Sequence, residues 1–188
     1  MGTISNGIYI LDAKGKIENH ITQTTGISNN TILSIKEDSN HNLWLGLDNG
    51  IDCVNLQSPI KKYKDEDGSL GTVYASVKYK GKIYLGTNQG LFYRNEDENS
   101  RYHFISGTKG QVWTLFEYDD QLFCGHDLGT FTVAEDKAQL IYNESGTWEF
   151  NIHPNHKNIL VQGNYNGLSV LEKTNDGWHF KNKIKGFD

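Results

Sequence analysis

Short apolar stretches alternate along the chain with turn-forming residues, and no segment keeps an apolar period of 3.6 residues over three helical turns. The stretches are rich in β-branched and aromatic residues, which favour strands, and glycine, asparagine and aspartate separate them. In the first clear example the pattern predicts strands at 31–37, 43–47, 51–56 and 60–64. The chain is therefore predicted to be all-β.

A four-residue phrase that ends in glycine returns four times, and a second glycine always follows the first by four positions. The leading glycines lie 40, 39 and 38 residues apart, which indicates tandem structural repeats. The phrases are Leu43-Trp44-Leu45-Gly46 with Gly50, Ile83-Tyr84-Leu85-Gly86 with Gly90, Leu122-Phe123-Cys124-Gly125 with Gly129, and Leu160-Val161-Gln162-Gly163 with Gly167.

The phrases are apolar on both faces of the predicted strand. The residue two before the glycine points to one face of the sheet and its neighbours point to the other, and nearly all of them are apolar. We therefore expect Trp44, Tyr84 and Phe123 to be buried between neighbouring sheets. Sheets that are covered on both faces and recur at this period stack around an axis as the blades of a β-propeller.

The two glycines of each phrase have different predicted roles. Gly46 closes a strand, and Gly50 ends a three-residue loop at which a positive φ is expected. The second position of that loop is Asp48, Asn88 or Asp127 in the first three repeats. Aspartate and asparagine can bond their own backbone two residues further on, so these side chains are expected to hold the turn.

Charge and composition exclude some classes of function. The net charge is −5, with acidic and basic residues interspersed and no Lys/Arg cluster, so we expect this segment to bind no nucleic acid. No apolar run approaches the ~18 residues that a membrane-spanning helix needs. Cys53 and Cys124 occupy non-equivalent positions in different repeats. Two buried thiols are favoured over a disulfide, which stays open as the alternative.

The segment from Gly26 to Asp38, GISNNTILSIKED, and its continuation NLWLGLDNGI from Asn42 closely resemble the two-component regulator propeller repeat. The resemblance continues at 72–91 and is weaker in the last two repeats, where Cys124-Gly125-His126 and Gln162-Gly163-Asn164 replace the usual Leu or Ile, Gly and Thr. It implies a periplasmic or extracellular sensor propeller of a bacterial signalling protein. In that family a β-sandwich, a transmembrane helix and a cytoplasmic histidine kinase or helix-turn-helix output domain usually follow in the same polypeptide.

The resemblance also implies where each repeat begins and ends. The expected fold is an open piece of a larger propeller, with four complete four-stranded antiparallel blades and one partial blade. The parent protein is then expected to be membrane-anchored and dimeric, and the piece is expected to self-associate through its open end blades. The expected segments are a partial blade at 1–30, blades at 31–66, 72–105, 111–142 and 147–182, and the start of a linker at 183–188.

Three motifs suggest metal or catalytic chemistry, but registry between the repeats assigns each of them to a turn or a connector. The pair His153 and His156 occupies a turn that other repeats fill with different residues, and the acidic segment 65–68 lacks the glutamate that would close a calcium loop. A catalytic role for His126 and Asp127 would need a nucleophile that the sequence does not identify. We therefore expect no metal, no cofactor and no catalytic residues.

The remaining candidate for a functional site is a ligand-binding surface. The loop between the second and third strands of a blade lies on the same face as the connector into the next inner strand, so amide and hydroxyl groups are expected to gather there with aromatic rings. Core packing between blades is the open alternative for the aromatic residues, and Trp148 stands one position out of register with Trp113. The candidate ligand-binding residues are Tyr74, Asn88, Gln89, Trp113, Asp127, Trp148 and Tyr165.

The predicted function is non-catalytic sensing or binding of a small-molecule or oligosaccharide ligand, with carbohydrate implied by the family resemblance. Two alternatives stay open at this point. One is an enzyme of the lactonase or lyase type on a propeller scaffold, which would need convergent carboxylates or a metal cage near the axis. The other is a scaffold for protein–protein interaction.

Overall fold

The computed structural model describes residues 1–59, 65, 68–96 and 101–187. In these residues every regular element is a strand, and the strands form antiparallel sheets in which neighbours in the chain are neighbours in the sheet. These sheets are the blades of a β-propeller, so the predicted fold class is confirmed. The chain divides into two units, Met1–Gly68 and Ser69–Asp188.

The first unit contains a two-stranded and a three-stranded sheet. Its strands are β1 (Ile8–Leu11), β2 (Ile17–Ile21), β3 (Ile32–Glu37), β4 (Asn42–Leu47) and β5 (Gly50–Asn55). Its core joins Ile8 and Ile27 to Ile32, Leu45 and Leu47 on the facing sheet. The predicted strand at 60–64 lies outside the described residues.

The second unit contains three sheets of four strands each. The first has β6 (Val73–Tyr79), β7 (Lys82–Thr87), β8 (Leu91–Asn95) and β9 (His103–Phe104). The next has β10 (Val112–Tyr118), β11 (Gln121–His126), β12 (Gly129–Ala134) and β13 (Lys137–Tyr142), and the last has β14 (Glu149–Ile152), β15 (Ile159–Asn164), β16 (Gly167–Thr174) and β17 (Gly177–Ile184).

Strand β11 shows why the phrase is apolar on both faces. Tyr84 and Leu122 belong to one buried cluster, while Phe123 belongs to a second cluster with Phe150 and Trp178. Tyr84 is 1% exposed and Phe123 is fully buried, which confirms their predicted burial between neighbouring sheets.

The predicted burial of Trp44 is wrong, since its side chain is 47% exposed. It lies on the face of β4 opposite Leu45, and within the described residues of the first unit no further sheet covers that face. Its indole Nε1–H donates a hydrogen bond to Asp38 Oδ2 at 2.9 Å, which holds the ring over the β3–β4 turn. In the second unit, by contrast, Phe150 and Trp178 of the next sheet cover Phe123.

The first phrase loop is one residue shorter than predicted. Leu47 still pairs with Gly50, so β4 continues past Gly46 and only 48–49 lie in the loop. Gly50 has a φ of 102°, as its position at the end of the loop predicts. Both cysteines are free, and Cys124 is buried as predicted whereas Cys53 is exposed. Burial raises the pKa of the Cys124 thiol.

Candidate ligand-binding site

A β-bulge near the start of the first strand redirects one side chain in each of the first two sheets of the second unit. These strands are β6 and β10. Val73 pairs with Thr87 and Ala75 with Gly86, so Tyr74 is the extra residue between them. In the same way Trp113 stands between Val112, which pairs with His126, and Thr114, which pairs with Gly125. A bulge bends the strand and re-aims the side chain of the extra residue.

Trp148 occupies the equivalent position in the third sheet. Glu149 pairs with the phrase glycine Gly163, and Trp148 directly precedes it, just as Trp113 precedes the partner of Gly125. The Trp148 N–H donates to the Gly163 carbonyl oxygen at 2.9 Å. The sequence prediction that Trp148 is out of register is therefore wrong, because the pairing of β14 starts without a bulge.

Four aromatic rings contact one another near the starts of β6, β10 and β14, at the edge that we call the rim. We call these residues the aromatic row: Tyr74, Trp113, Trp148 and Tyr165. The ring centroids of Tyr74 and Trp113 are 5.1 Å apart, and those of Trp113 and Trp148 are 4.3 Å apart, both pairs stacked. Tyr165 meets Trp148 edge to face at 5.4 Å. Tyr74, Trp148 and Tyr165 are 44%, 44% and 49% exposed, so the row presents aromatic surface to solvent.

Trp113 is the covered member of the row. It is half-buried, and the rings of Tyr74 and Trp148 stack on it. Its indole Nε1 is buried and has no hydrogen-bond partner within the described part of the chain. Trp113 is therefore covered by Tyr74 and Trp148, which themselves keep the exposure that ligand stacking requires. Its own role in binding stays a prediction.

Glycines in the connectors leave space in which three of the candidate side chains pack. A Cβ atom at Gly71 would lie 2.3 Å from Asn88 Oδ1, and one at Gly110 would lie 2.7 Å from Asp127 Oδ1. A Cβ atom at Gly146 would lie 2.2 Å from the Tyr165 ring. The φ angles of these glycines are +67°, +133° and +72°, so both space and backbone favour glycine. The repeats thus bring each loop side chain onto the connector beside it.

Asn88 and Gln89 lie in the loop between β7 and β8. The Asn88 side-chain Oδ1 accepts the Thr72 N–H at 2.8 Å, and the Asn88 N–H donates to the Thr72 carbonyl oxygen at 3.1 Å. This contact reaches across to the connector, so the expected bond to its own loop backbone is not the one that forms. The Gln89 carbonyl oxygen accepts Gly110 N–H at 3.4 Å, which ties this loop to the next connector.

His126 is a buried residue that holds its turn. Its Nε2 lies 3.1 Å from the Thr108 carbonyl oxygen, and the Leu128 N–H approaches Nδ1 at 2.9 Å. Asp127 Oδ1 lies 2.5 Å from the same Nδ1. Because one ring nitrogen either accepts or donates, the carboxylate and the Leu128 N–H compete for it. These contacts support the interpretation of His126 and Asp127 as turn residues.

A buried polar network lies directly behind Trp148 and Tyr165. It comprises Thr130, Thr147, Gln162 and Asn164, of which the first three are fully buried and the last is 8% exposed. None of the four is among the candidate ligand-binding residues predicted from the sequence. The available signal was the pair of polar residues that flank Gly163 in the fourth phrase, where the first phrase has Leu45 and Leu47.

The described residues contain no group of three or more His, Cys, Asp or Glu side chains that could hold a metal ion. The rings of His153 and His156 are 4.9 Å apart in their turn, and His153 Nδ1 accepts the Asn155 N–H at 3.2 Å. The acidic segment 65–68 lies partly outside the described residues. The absence of metal and cofactor therefore stays a prediction. Within the residues that the structure describes, no helix is long and apolar enough to cross a membrane.

Comparison with known proteins gives one family match. Residues 26–49 match the family described as "Two component regulator propeller". This is the segment on which the sequence resemblance rests, and the resemblance is confirmed there. No curated protein matches the chain.

Among solved structures, the chain is similar to the extracellular domain of the hybrid two component system BT3049 from B. thetaiotaomicron, with 18% identity, a TM-score of 0.49 and coverage of 98% of this chain and 26% of that one. A second is the extracellular domain of the one component system BT4673 of the same organism, with 16% identity, a TM-score of 0.49 and coverage of 95% and 29%. A third is PorZ, a surface component of the type-IX secretion system of Porphyromonas gingivalis, with 13% identity, a TM-score of 0.44 and coverage of 91% and 30%. The chain spans less than a third of each of these structures.

Proposed function

Because residues 26–49 carry a two component regulator propeller repeat, we propose that the chain is a non-catalytic, ligand-sensing propeller segment of a bacterial signal-transduction regulator. The segment belongs to the periplasmic or extracellular part of a membrane-anchored, dimeric parent that regulates transcription. It contributes a binding surface, and the output lies elsewhere in the parent. The family match supports the signalling role, and the geometry of the rim supports the binding role.

The ligand is a carbohydrate-derived oligomer that binds at the aromatic row. The observation that carries this proposal is the exposure of Tyr74, Trp148 and Tyr165 in one continuous row. Aromatic faces stack on the apolar faces of sugar rings, and neighbouring amide and hydroxyl groups bond the sugar hydroxyls. Asn88 and Gln89 supply such groups at the same rim, and a rigid scaffold that presents polar loops is a typical binding surface.

Isothermal titration of the purified chain with xylotetraose, maltotetraose, cellotetraose, mannotetraose and tetragalacturonate tests the proposal. At least one of these sugars should bind, and Trp148→Ala and Tyr165→Ala should each weaken binding by about tenfold, as expected for exposed aromatic anchors. Phe180→Ala is the matched control, because Phe180 is 39% exposed on the outer strand β17 and stacks on Tyr142.

Besides a failure of all five sugars to bind, two results would contradict the proposal. Equal affinity in the parent and both row variants would place the ligand elsewhere. Cleavage of the bound sugar, detected by chromatography after prolonged incubation, would show an enzyme instead of a sensor. The proposal predicts that the sugar is recovered intact.

A further inference from the structure

We infer that Thr147, Gln162 and Asn164 are positioning residues that fix Trp148 and Tyr165 in the geometry that binds ligand. The ligand-binding part of this inference rests on the proposed function, whereas the positioning itself does not. None of these three residues is among the candidate ligand-binding residues predicted from the sequence.

The hydrogen bonds of the network form a closed ring with one consistent direction. Asn164 Nδ2 donates to Thr147 Oγ1 at 3.0 Å, and Thr130 Oγ1 donates to Gln162 Oε1 at 2.8 Å. Since the single hydroxyl hydrogen of Thr130 is used in that bond, Thr147 must be the donor in the 2.9 Å contact between the two hydroxyls. Gln162 Nε2 closes the ring by donating to Asn164 Oδ1 at 3.1 Å.

The ring of hydrogen bonds is coupled to the aromatic residues through the backbone. Thr147 directly precedes Trp148 and Asn164 directly precedes Tyr165, while Gln162 and Asn164 flank Gly163. The Trp148 N–H bonds the Gly163 carbonyl oxygen at 2.9 Å, and the Tyr165 N–H bonds the Ser145 carbonyl oxygen at 3.3 Å. A change in the side-chain ring therefore moves the two backbone segments that carry the exposed aromatic rings.

Simple filling of the core would not require polar residues at these positions. The residues before the phrase glycine are Leu45, Leu85 and Cys124 in the other repeats, and Leu45 is fully buried in its own sheet. Burying amides and hydroxyls is unfavourable unless each finds a partner, and a fully satisfied network specifies one arrangement through directional bonds. A leucine at position 162 would fill space, but it would form no hydrogen bond that orients the side chains of Thr147 and Asn164.

The first test compares Thr147→Val with Thr147→Ser. Valine has nearly the shape of threonine but lacks the hydroxyl that joins Thr130 and Asn164, whereas serine keeps it. Stacked indoles at 4.3 Å couple their excited states and give a paired positive and negative band in far-ultraviolet circular dichroism. Thr147→Val should weaken this band pair in the folded protein and lower the affinity for the sugar that binds the parent by about tenfold. Thr147→Ser should restore both.

Gln162→Leu provides a second variant, so failure of one variant to fold does not remove the test. It should have the same two effects as Thr147→Val. The matched control is Gln121→Leu. The Gln121 amide N–H groups donate to the carbonyl oxygens of Leu122 in β11 and Val133 in β12, away from the network, so this substitution should leave the band pair unchanged.

The outcomes separate this inference from the proposed function. If none of the five sugars binds the parent, the proposed function fails, and the circular dichroism comparison still decides the positioning role. If the parent binds a sugar but Thr147→Val and Gln162→Leu keep the band pair and the affinity of the parent, the inference is overturned and the proposed function stands.

Discussion

At the scale of single residues, Asp38 shows how the polar edge of an aromatic side chain changes a neighbouring carboxyl group. The Trp44 indole N–H, followed by the backbone and side-chain N–H groups of Asn42, lowers the pKa of Asp38 from 3.8 to about 2. Because the pKa is lower in the folded state, these bonds contribute their full stability at pH values above the unfolded-state pKa. That contribution is lost as the pH falls through the folded-state value.

We therefore expect Asp38→Asn to be less stable than the parent at neutral pH, and the difference to shrink between pH 3.8 and about 2. Urea unfolding of both proteins at a series of pH values measures the difference. A constant gap across this interval would show that the folded-state carboxylate gains nothing from its donors.

Two aromatic residues at the same phrase position should differ in their effect on stability. Phe123 is fully buried, so Phe123→Ala should lower the free energy of unfolding by about 3–5 kcal/mol. Trp44 is 47% exposed, so Trp44→Ala should cost clearly less, although it removes the bond to Asp38. Denaturant unfolding of both variants makes the comparison, and equal losses would mean that Trp44 is as buried as the sequence pattern suggests.

At the scale of elements, Gly146 in the connector before the last sheet and Gly163 in strand β15 have opposite requirements. Gly146 has a φ of +72° and its Cβ position lies 2.2 Å from the Tyr165 ring, whereas Gly163 has open space around its Cβ position and an ordinary φ. Gly146→Ala should therefore destabilise the protein by roughly 1–3 kcal/mol and displace Tyr165, while Gly163→Ala should be close to neutral. Thermal unfolding measures both. A neutral Gly146→Ala would show that the connector does not seat the tyrosine as described.

The strands were predictable from the sequence, but the local features of the site were only partly so. A glycine with a positive φ ends each phrase loop, so β4 and β5 could be located from Gly50 and the alternation around it. A bulge adds one residue without a compositional signature, which is why the register of Trp148 was missed. The bond between Thr130 and Gln162 joins residues of two sheets, and no local pattern reports such a pairing.

At the scale of the whole molecule, each unit has its own core. The cluster around Ile8 and Leu45 lies in the first unit, and the clusters around Tyr84 and Phe123 lie in the second. The aromatic row and the polar network behind it are built entirely from residues of the second unit. The candidate site is therefore a property of three consecutive sheets, each of which contributes one or two aromatic side chains at its rim.

The most direct test of the ligand-binding site is the indole N–H spectrum of the parent chain during titration with the sugar that binds. The chain has 4 tryptophans, of which Trp113 and Trp148 lie in the row, while Trp44 bonds Asp38 and Trp178 lies in a buried core. We predict that the Trp113 and Trp148 signals shift in a saturable manner and that those of Trp44 and Trp178 do not. Saturable shifts of Trp44 or Trp178 with unchanged row signals would contradict the account.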